Sequence, residues 1–150
     1  MKVREILALK GNALYSADPA QSLREGVVTM AENDIGSLVC MQEGRLVGML
    51  TFREVMRAIR NHGAEWGWVK IADVMATNPP TATLGMDVDE LRRLMLETKV
   101  RYLPVVDSGT LAGVLSFHDI AKAVLSEQGQ ENEMLRAYIH DLPQVGSTLS

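Results

Sequence analysis

Apolar residues recur along the chain in two periods, and the same succession of periods appears twice. Leu23, Val27, Met30 and Ala31 stand at i, i+4, i+7 and i+8, a spacing that gathers side chains on one helix face. Ser22 precedes that run and Glu25 follows three residues later, the spacing of a capping box. Two short runs then suit strands, Ser37–Met41 and Arg45–Leu50, with Gln42-Glu43-Gly44 as the turn between them. A helical run over Phe52–Arg60 closes the succession. Downstream it returns: Asp87 and Glu90 ahead of Leu91, Leu94 and Met95, then strands Arg101–Val106 and Leu111–Leu115 around Asp107-Ser108-Gly109, then a helix over Phe117–Leu125.

A shift of 65 residues superimposes the two stretches. Met30 falls on Met95, Leu38 on Leu103, Gly44 on Gly109, and Leu46, Gly48, Leu50 and Phe52 on Leu111, Gly113, Leu115 and Phe117. Near the start the register becomes 68, placing Val3, Ile6 and Leu7 on Ile71, Val74 and Met75. The first copy therefore carries three additional residues around Leu9–Ala13. Neither copy alone buries both faces of a small sheet, so the two are expected to pack together as one α/β (α+β) module. The expected division is a first copy over 1–62, a Gly- and Trp-bearing linker and interface anchor over 63–69, a second copy over 70–126 and a helical tail over 127–150. Met134, Leu135, Tyr138 and Ile139 give that tail helical spacing, suited to covering a groove or meeting a partner chain.

Composition narrows the function. With 150 residues, 47% hydrophobic and 23% charged, the chain is a folded one, and its core draws on 9 Met because aromatics are only 5%. A net charge of −4 disfavours a nucleic-acid surface. No apolar run approaches the roughly 20 residues of a membrane span, and the start lacks the apolar stretch of a signal peptide. These features predict a soluble cytoplasmic protein with no nucleic-acid or membrane partner. One cysteine, Cys40, excludes a disulfide framework, and it reads as a buried strand residue. His62, His118 and His140 lack metal-ligand spacing. No nucleophile elbow, zinc helix or Walker loop is present, which leaves an enzyme using Glu54 or Asp119 as a general base as the least favoured alternative.

Ser116 and Asp119 form the most suggestive local pattern. A strand ends and a helix begins there, so free backbone N–H groups suit a phosphate, the Ser116 hydroxyl adds a donor, and Asp119 suits a ribose diol. The same spacing describes an ordinary helix cap, which on spacing alone is the commoner use. In the first copy Thr51-Phe52-Arg53-Glu54 is a capping box outright.

The run Gly113-Val114-Leu115-Ser116-Phe117-His118-Asp119, the run Val100-Arg101-Tyr102-Leu103-Pro104-Val105-Val106 and the tandem copying together resemble the CBS-domain pair, or Bateman module, over roughly residues 1–126. The opening Val3-Arg4-Glu5-Ile6-Leu7 with Lys10-Gly11 is similar to small stand-alone bacterial members. The resemblance implies two β-α-β-β-α repeats related by a pseudo-twofold axis, with small sheets flanked by helices. It implies a regulatory module, neither an enzyme nor a holder of a catalytic cofactor, that binds AMP, ADP, ATP or NAD, with S-adenosylmethionine less favoured, in clefts between the repeats. A homodimer and an unidentified protein partner follow from it, and the alternative is a ligand-free interaction module working through its dimer surface. Carried over residue by residue, the ligand set is Ser116, His118, Asp119 and Val114 facing Lys10, Gly11, Asn12 and Ala13, with Gly36, Ser37, Arg101 and Tyr102 nearby. The weaker second cleft takes Thr51, Arg53, Glu54 and Thr81. Glu54 stands where the family normally has Asp, which assigns Glu54 to its own helix and leaves Asp119 for a ligand.

Overall fold

The structure, a computed structural model, describes residues 1–11 and 13–138. In chain order its first half runs α1 (Val3–Lys10), β1 (Ser16–Ala17), α2 (Leu23–Asn33), β2 (Ser37–Gln42), β3 (Arg45–Thr51) and α3 (Phe52–His62). After a 3₁₀ helix over Gly63–Trp68 come α4 (Ile71–Val74), β4 (Ala76–Thr77), α5 (Val88–Thr98), β5 (Tyr102–Asp107), β6 (Thr110–Ser116) and α6 (Phe117–Tyr138).

The repeat is visible in the backbone. Both hairpin turns carry two consecutive positive-φ residues, Glu43 and Gly44 in one, Ser108 and Gly109 in the other. That conformation matches the right-handed twist of the flanking strands. Each hairpin is bulged at the equivalent place, between Cys40 and Met41 and between Val105 and Val106. β1 lies parallel to β2, pairing Ala17 with Cys40, and Ala82 makes the matching parallel bridge to Val105. Helices α2 and α5 both stop on a left-handed residue, Asp34 and Lys99.

The segment 63–69 forms a 3₁₀ helix that seats Trp66 against the first half's core and buries Gly67. Trp68 stays exposed under the Arg24 guanidinium, 5.8 Å from the ring centroid. The tail does not begin a new element at 127, since α6 continues unbroken through Tyr138. Ile139 and His140 lie outside the described residues. Asp87 makes no side-chain cap; the Val88 amide donates instead to the Met1 carbonyl.

The apolar interior forms two clusters, and each takes in the opening segment of the other half. Val3 and Ile6 of α1 are buried among Val88, Leu91, Leu103, Leu115 and Ile120. Ile71 of α4 is buried among Leu23, Leu38, Leu50 and Val55. Burying side chains of this size contributes about 1.5–3 kcal/mol each. Backbone bonds repeat the exchange symmetrically: the Val3 amide donates to the Met86 carbonyl at 2.8 Å, and the Ile71 amide to the Gln21 carbonyl at 2.9 Å. The Leu23 amide likewise donates to Val69 at 2.8 Å, and the Val88 amide to Met1 at 2.9 Å. The two copies are thereby locked into one module.

The symmetry breaks just past the exchanged helices. α4 has 4 residues and leads into β4, which pairs with β3 through Met49 and Gly48. α1 has 8 residues, is capped by Gly11 with φ of 93°, and among the described residues no strand follows it to pair with β6. The three additional residues of the first copy lie at that point. One sheet thus has four strands, in the order β1-β2-β3-β4, and the other has two, β5-β6.

The paired glycines Gly48 and Gly113 make room for the exchanged segments. A Cβ on Gly48 would stand 2.9 Å from the Ala76 carbonyl oxygen and 2.7 Å from Met75 Sδ, whereas one on Gly113 would meet only the Leu7 side chain, at 2.9 Å. Backbone yields less readily than a flexible side chain. Gly48→Val is therefore expected to destabilise by about 2–3 kcal/mol and Gly113→Val by about 1 kcal/mol, read as urea midpoints at unchanged slope. A larger loss for Gly113→Val would contradict this packing.

Candidate ligand-binding cleft

A cleft of about 960 Å³ opens between the halves. Its lining comes from four places: Lys10 at the end of α1 with Ala13, Leu14 and Tyr15 beyond it; Ile35, Gly36, Ser37 and Val39 at the start of β2; Met95 and Leu96 of α5 with Lys99, Val100, Arg101 and Tyr102 leading into β5; and Val114, Ser116, Phe117, His118 and Ala121 where β6 passes into α6. The exchange of opening segments creates this meeting, since α1 packs on the second half while β1 stays with the first. Gly36 and Tyr102 meet here, and a Cβ at Gly36 would collide with the Tyr102 hydroxyl.

Lys10 anchors the polar part. Its Nζ donates to the Val114 carbonyl at 2.8 Å and to Asp119 Oδ2 at 2.8 Å. The Ser116 amide also donates to Asp119 Oδ2, at 2.8 Å, and the Asp119 amide returns a bond to Ser116 Oγ, at 3.1 Å. Burial pushes the Asp119 carboxyl up, but the Lys10 ammonium and the Ser116 amide outweigh it and hold the group below its ordinary value.

Two expectations about this helix start need correction. Asp119 is not left wholly to a ligand, because it caps α6 reciprocally with Ser116 much as Glu54 caps α3. Nor are the first amides of α6 all free: the Phe117 amide donates to the Arg101 carbonyl at 2.7 Å and the Asp119 amide to Ser116. Among the described residues, the bonds to the Asp119 carboxylate fall on Oδ2.

Of the residues expected at this cleft, Lys10, Ala13, Gly36, Ser37, Arg101, Tyr102, Val114, Ser116 and His118 line it. Asp119 sits directly behind Lys10, and Gly11 caps α1 by donating its amide to the Leu7 carbonyl at 3.1 Å. Asn12 lies outside the described residues. Leu14, Tyr15, Ile35, Val39, Met95, Leu96, Lys99, Val100, Phe117 and Ala121 were not foreseen. For Lys99 a signal existed, the 65-residue pairing with Asp34 at a helix end; for the others only tertiary packing decides.

On the other side of the pseudo-axis the equivalent residues are spent on structure. The Thr51 amide and hydroxyl both donate to Glu54 Oε1, at 2.8 and 2.7 Å, and Glu54 is buried. Arg53 reaches across the halves and donates to the Lys99 carbonyl at 2.7 Å. Thr81 is exposed just before the Ala82 bridge. The Cys40 thiol, buried and near the Glu54 carboxylate, is pushed up to about 12, which leaves it inert at neutral pH. Among the described residues no group of three His, Cys, Asp or Glu is placed to hold a metal, and no helix is long and apolar enough to cross a membrane.

The sequence model of the CBS domain matches this chain twice, at residues 3–61 and 71–126. The chain belongs to the CBS-domain family. Among relatives, the CBS domain-containing protein YhcV of Bacillus subtilis is 26% identical over 113 residues, covering 75% of this chain and 80% of YhcV. An inosine-5'-monophosphate dehydrogenase of Staphylococcus haemolyticus is 34% identical over 110 residues, but the match spans 71% of this chain and only 21% of the enzyme. A CBS-domain protein structure from Burkholderia ambifaria superimposes with a TM-score of 0.80 at 26% identity, covering 85% of this chain and 96% of that one.

The Lys10–Asp119 pair contributes to stability in a pH-dependent way. A carboxyl held below its unfolded value stabilises at pH above about 3.9 and loses that contribution as pH falls through its folded value. Because the pair is partly exposed, Asp119→Asn is expected to cost about 0.5–1 kcal/mol at pH 7. The gap to the wild type should be constant down to pH 5 and close toward pH 2.5, as followed by thermal melting. A gap that persists undiminished at pH 2.5 would contradict the ion pair.

Proposed function

We propose that this chain is a non-catalytic regulatory module that binds an adenine nucleotide, such as AMP, ADP, ATP or NAD, in the cleft between its halves. The observation that carries the reading is the cleft itself. It joins apolar residues suited to a base, Leu14, Ile35, Val39 and Val100, to the cluster of Lys10, Ser116, His118 and Asp119 suited to ribose and phosphate. Proteins of the same fold support the ligand class: CBSX2 was crystallised with AMP (TM-score 0.72, 22% identity), and the CBS pair of MJ0100 with 5'-methylthioadenosine and S-adenosylmethionine (TM-score 0.74, 23% identity).

Regulation follows if the ligand prefers one arrangement of the halves, since only differential affinity shifts an equilibrium. The cleft walls come from both halves, so a ligand bridging them has the means to do so. The output surface we assign to the apolar residues exposed on α3 and α6: Phe52, Met56 and Ile59 at i, i+4 and i+7, with Phe117 and Leu125. That face suits a homodimer contact or a protein partner. We expect one nucleotide per chain, because Glu54 and Arg53 on the opposite side are already engaged.

Calorimetry and ligand-dependent melting test the reading. At 1 mM, a ligand with a Kd near 10 μM stabilises by about 2.7 kcal/mol, which raises the melting temperature by several degrees in a domain of this size. We expect such a rise with one or more of AMP, ADP, ATP and NAD, a stoichiometry near one, and its loss in Asp119→Ala. If none of the four shifts the melting curve, the sensing role fails and the apolar face becomes the sole functional surface.

A further inference from the structure

We infer that Lys10 is a selectivity residue, favouring nucleotides that carry a phosphate over nucleosides and thioether analogues that do not. The inference rests on the proposed nucleotide site and names which members of the class that site takes.

Lys10 owes its position to the broken symmetry. Under the 68-residue register its counterpart is Asn78, which directly follows β4. In the first half Met49 pairs with Ala76 of that strand. In the second half the equivalent residue, Val114, has no such strand beside it among the described residues, and its carbonyl takes the Lys10 ammonium. The additional turn of α1 thus delivers a cation to the cleft where the other half has backbone. Of the three donors on an ammonium, one bonds Val114 and one Asp119 among the described residues.

The electrostatics of the cleft point the same way. Among the described residues lining it are Lys10, Lys99 and Arg101, and no Asp or Glu. The carboxylate nearest at hand, Asp119, is neutralised by Lys10. A ligand whose ribose hydroxyls bond Asp119 must compete with that ion pair. A phosphate compensates by taking over the ammonium in a charge-assisted bond. A neutral nucleoside, or a sulfonium cation, frees the ammonium without repairing its loss and adds no anion to the three cations.

The matched probes are AMP and 5'-methylthioadenosine, which share adenine and ribose and differ in the phosphate. Calorimetry on the wild type should give AMP an affinity at least about tenfold higher, the equivalent of one charge-assisted hydrogen bond. In Lys10→Met the ratio should fall toward one, through weaker AMP binding with 5'-methylthioadenosine unchanged or tighter. Lys10→Arg should keep the preference, and melting of both variants without nucleotide checks that the fold is intact. Equal affinities in the wild type, or a ratio that survives in Lys10→Met, would overturn the selectivity role while leaving the nucleotide site standing. A parallel loss of both ligands in Lys10→Met would reduce Lys10 to a structural contact and overturn it too. Failure of both compounds and of ATP to bind the wild type at millimolar concentration would overturn the nucleotide reading itself, and this inference with it.

Discussion

The exchange of opening segments between the two halves is the constraint on which everything else depends. Val3 and Ile6 complete the second half's core, and Ile71 completes the first. Matched backbone bonds, from Val3 to Met86 and from Ile71 to Gln21, hold the exchange in register. A half this small has too little interior to be stable alone, and each borrows the missing wall from its copy. Gly48 and Gly113 are the sequence cost of that arrangement, since a side chain at either would displace the borrowed segment.

The cleft is a by-product of the same exchange. Crossing over to the second half and returning to β1 places Lys10, Ala13, Leu14 and Tyr15 along the seam, where Gly36 and Tyr102 also meet. Both polar ends of the seam begin with the same device, a Thr or Ser capped by an acid three residues on. They diverge because of one carbon and one lysine. Glu54 reaches its own Thr51 twice and is sealed in, whereas Asp119 shares its load with Lys10, a group that a ligand can replace.

Much of this was legible in the residues. Period and turn chemistry located both hairpins and all four long helices, because those features depend on neighbours in sequence. The glycine pairs and the capping box at Thr51 were local enough to read directly. The exchange was not, because periodicity shows which face of α1 is apolar and is silent on which core receives it. The same blindness hid Leu14, Tyr15 and Ile35 from the cleft. The three additional residues were visible as a change of register, but not that α1 continues as helix to Lys10 where α4 gives way to β4, so that an ammonium stands in that strand's place. A helix cap and a ligand carboxylate are read from the same Ser-x-x-Asp spacing, and in the fold Asp119 makes the cap while also pairing with Lys10.

The central claim is that one ligand touches both halves across the seam. Hydrogen exchange with and without saturating AMP tests it most directly, because amide protection maps to chain segments. The account predicts slowed exchange together at residues 13–17, 35–39, 99–102 and 116–118, two segments from each half. Protection confined to a single half, or no change at all at saturation, would contradict it.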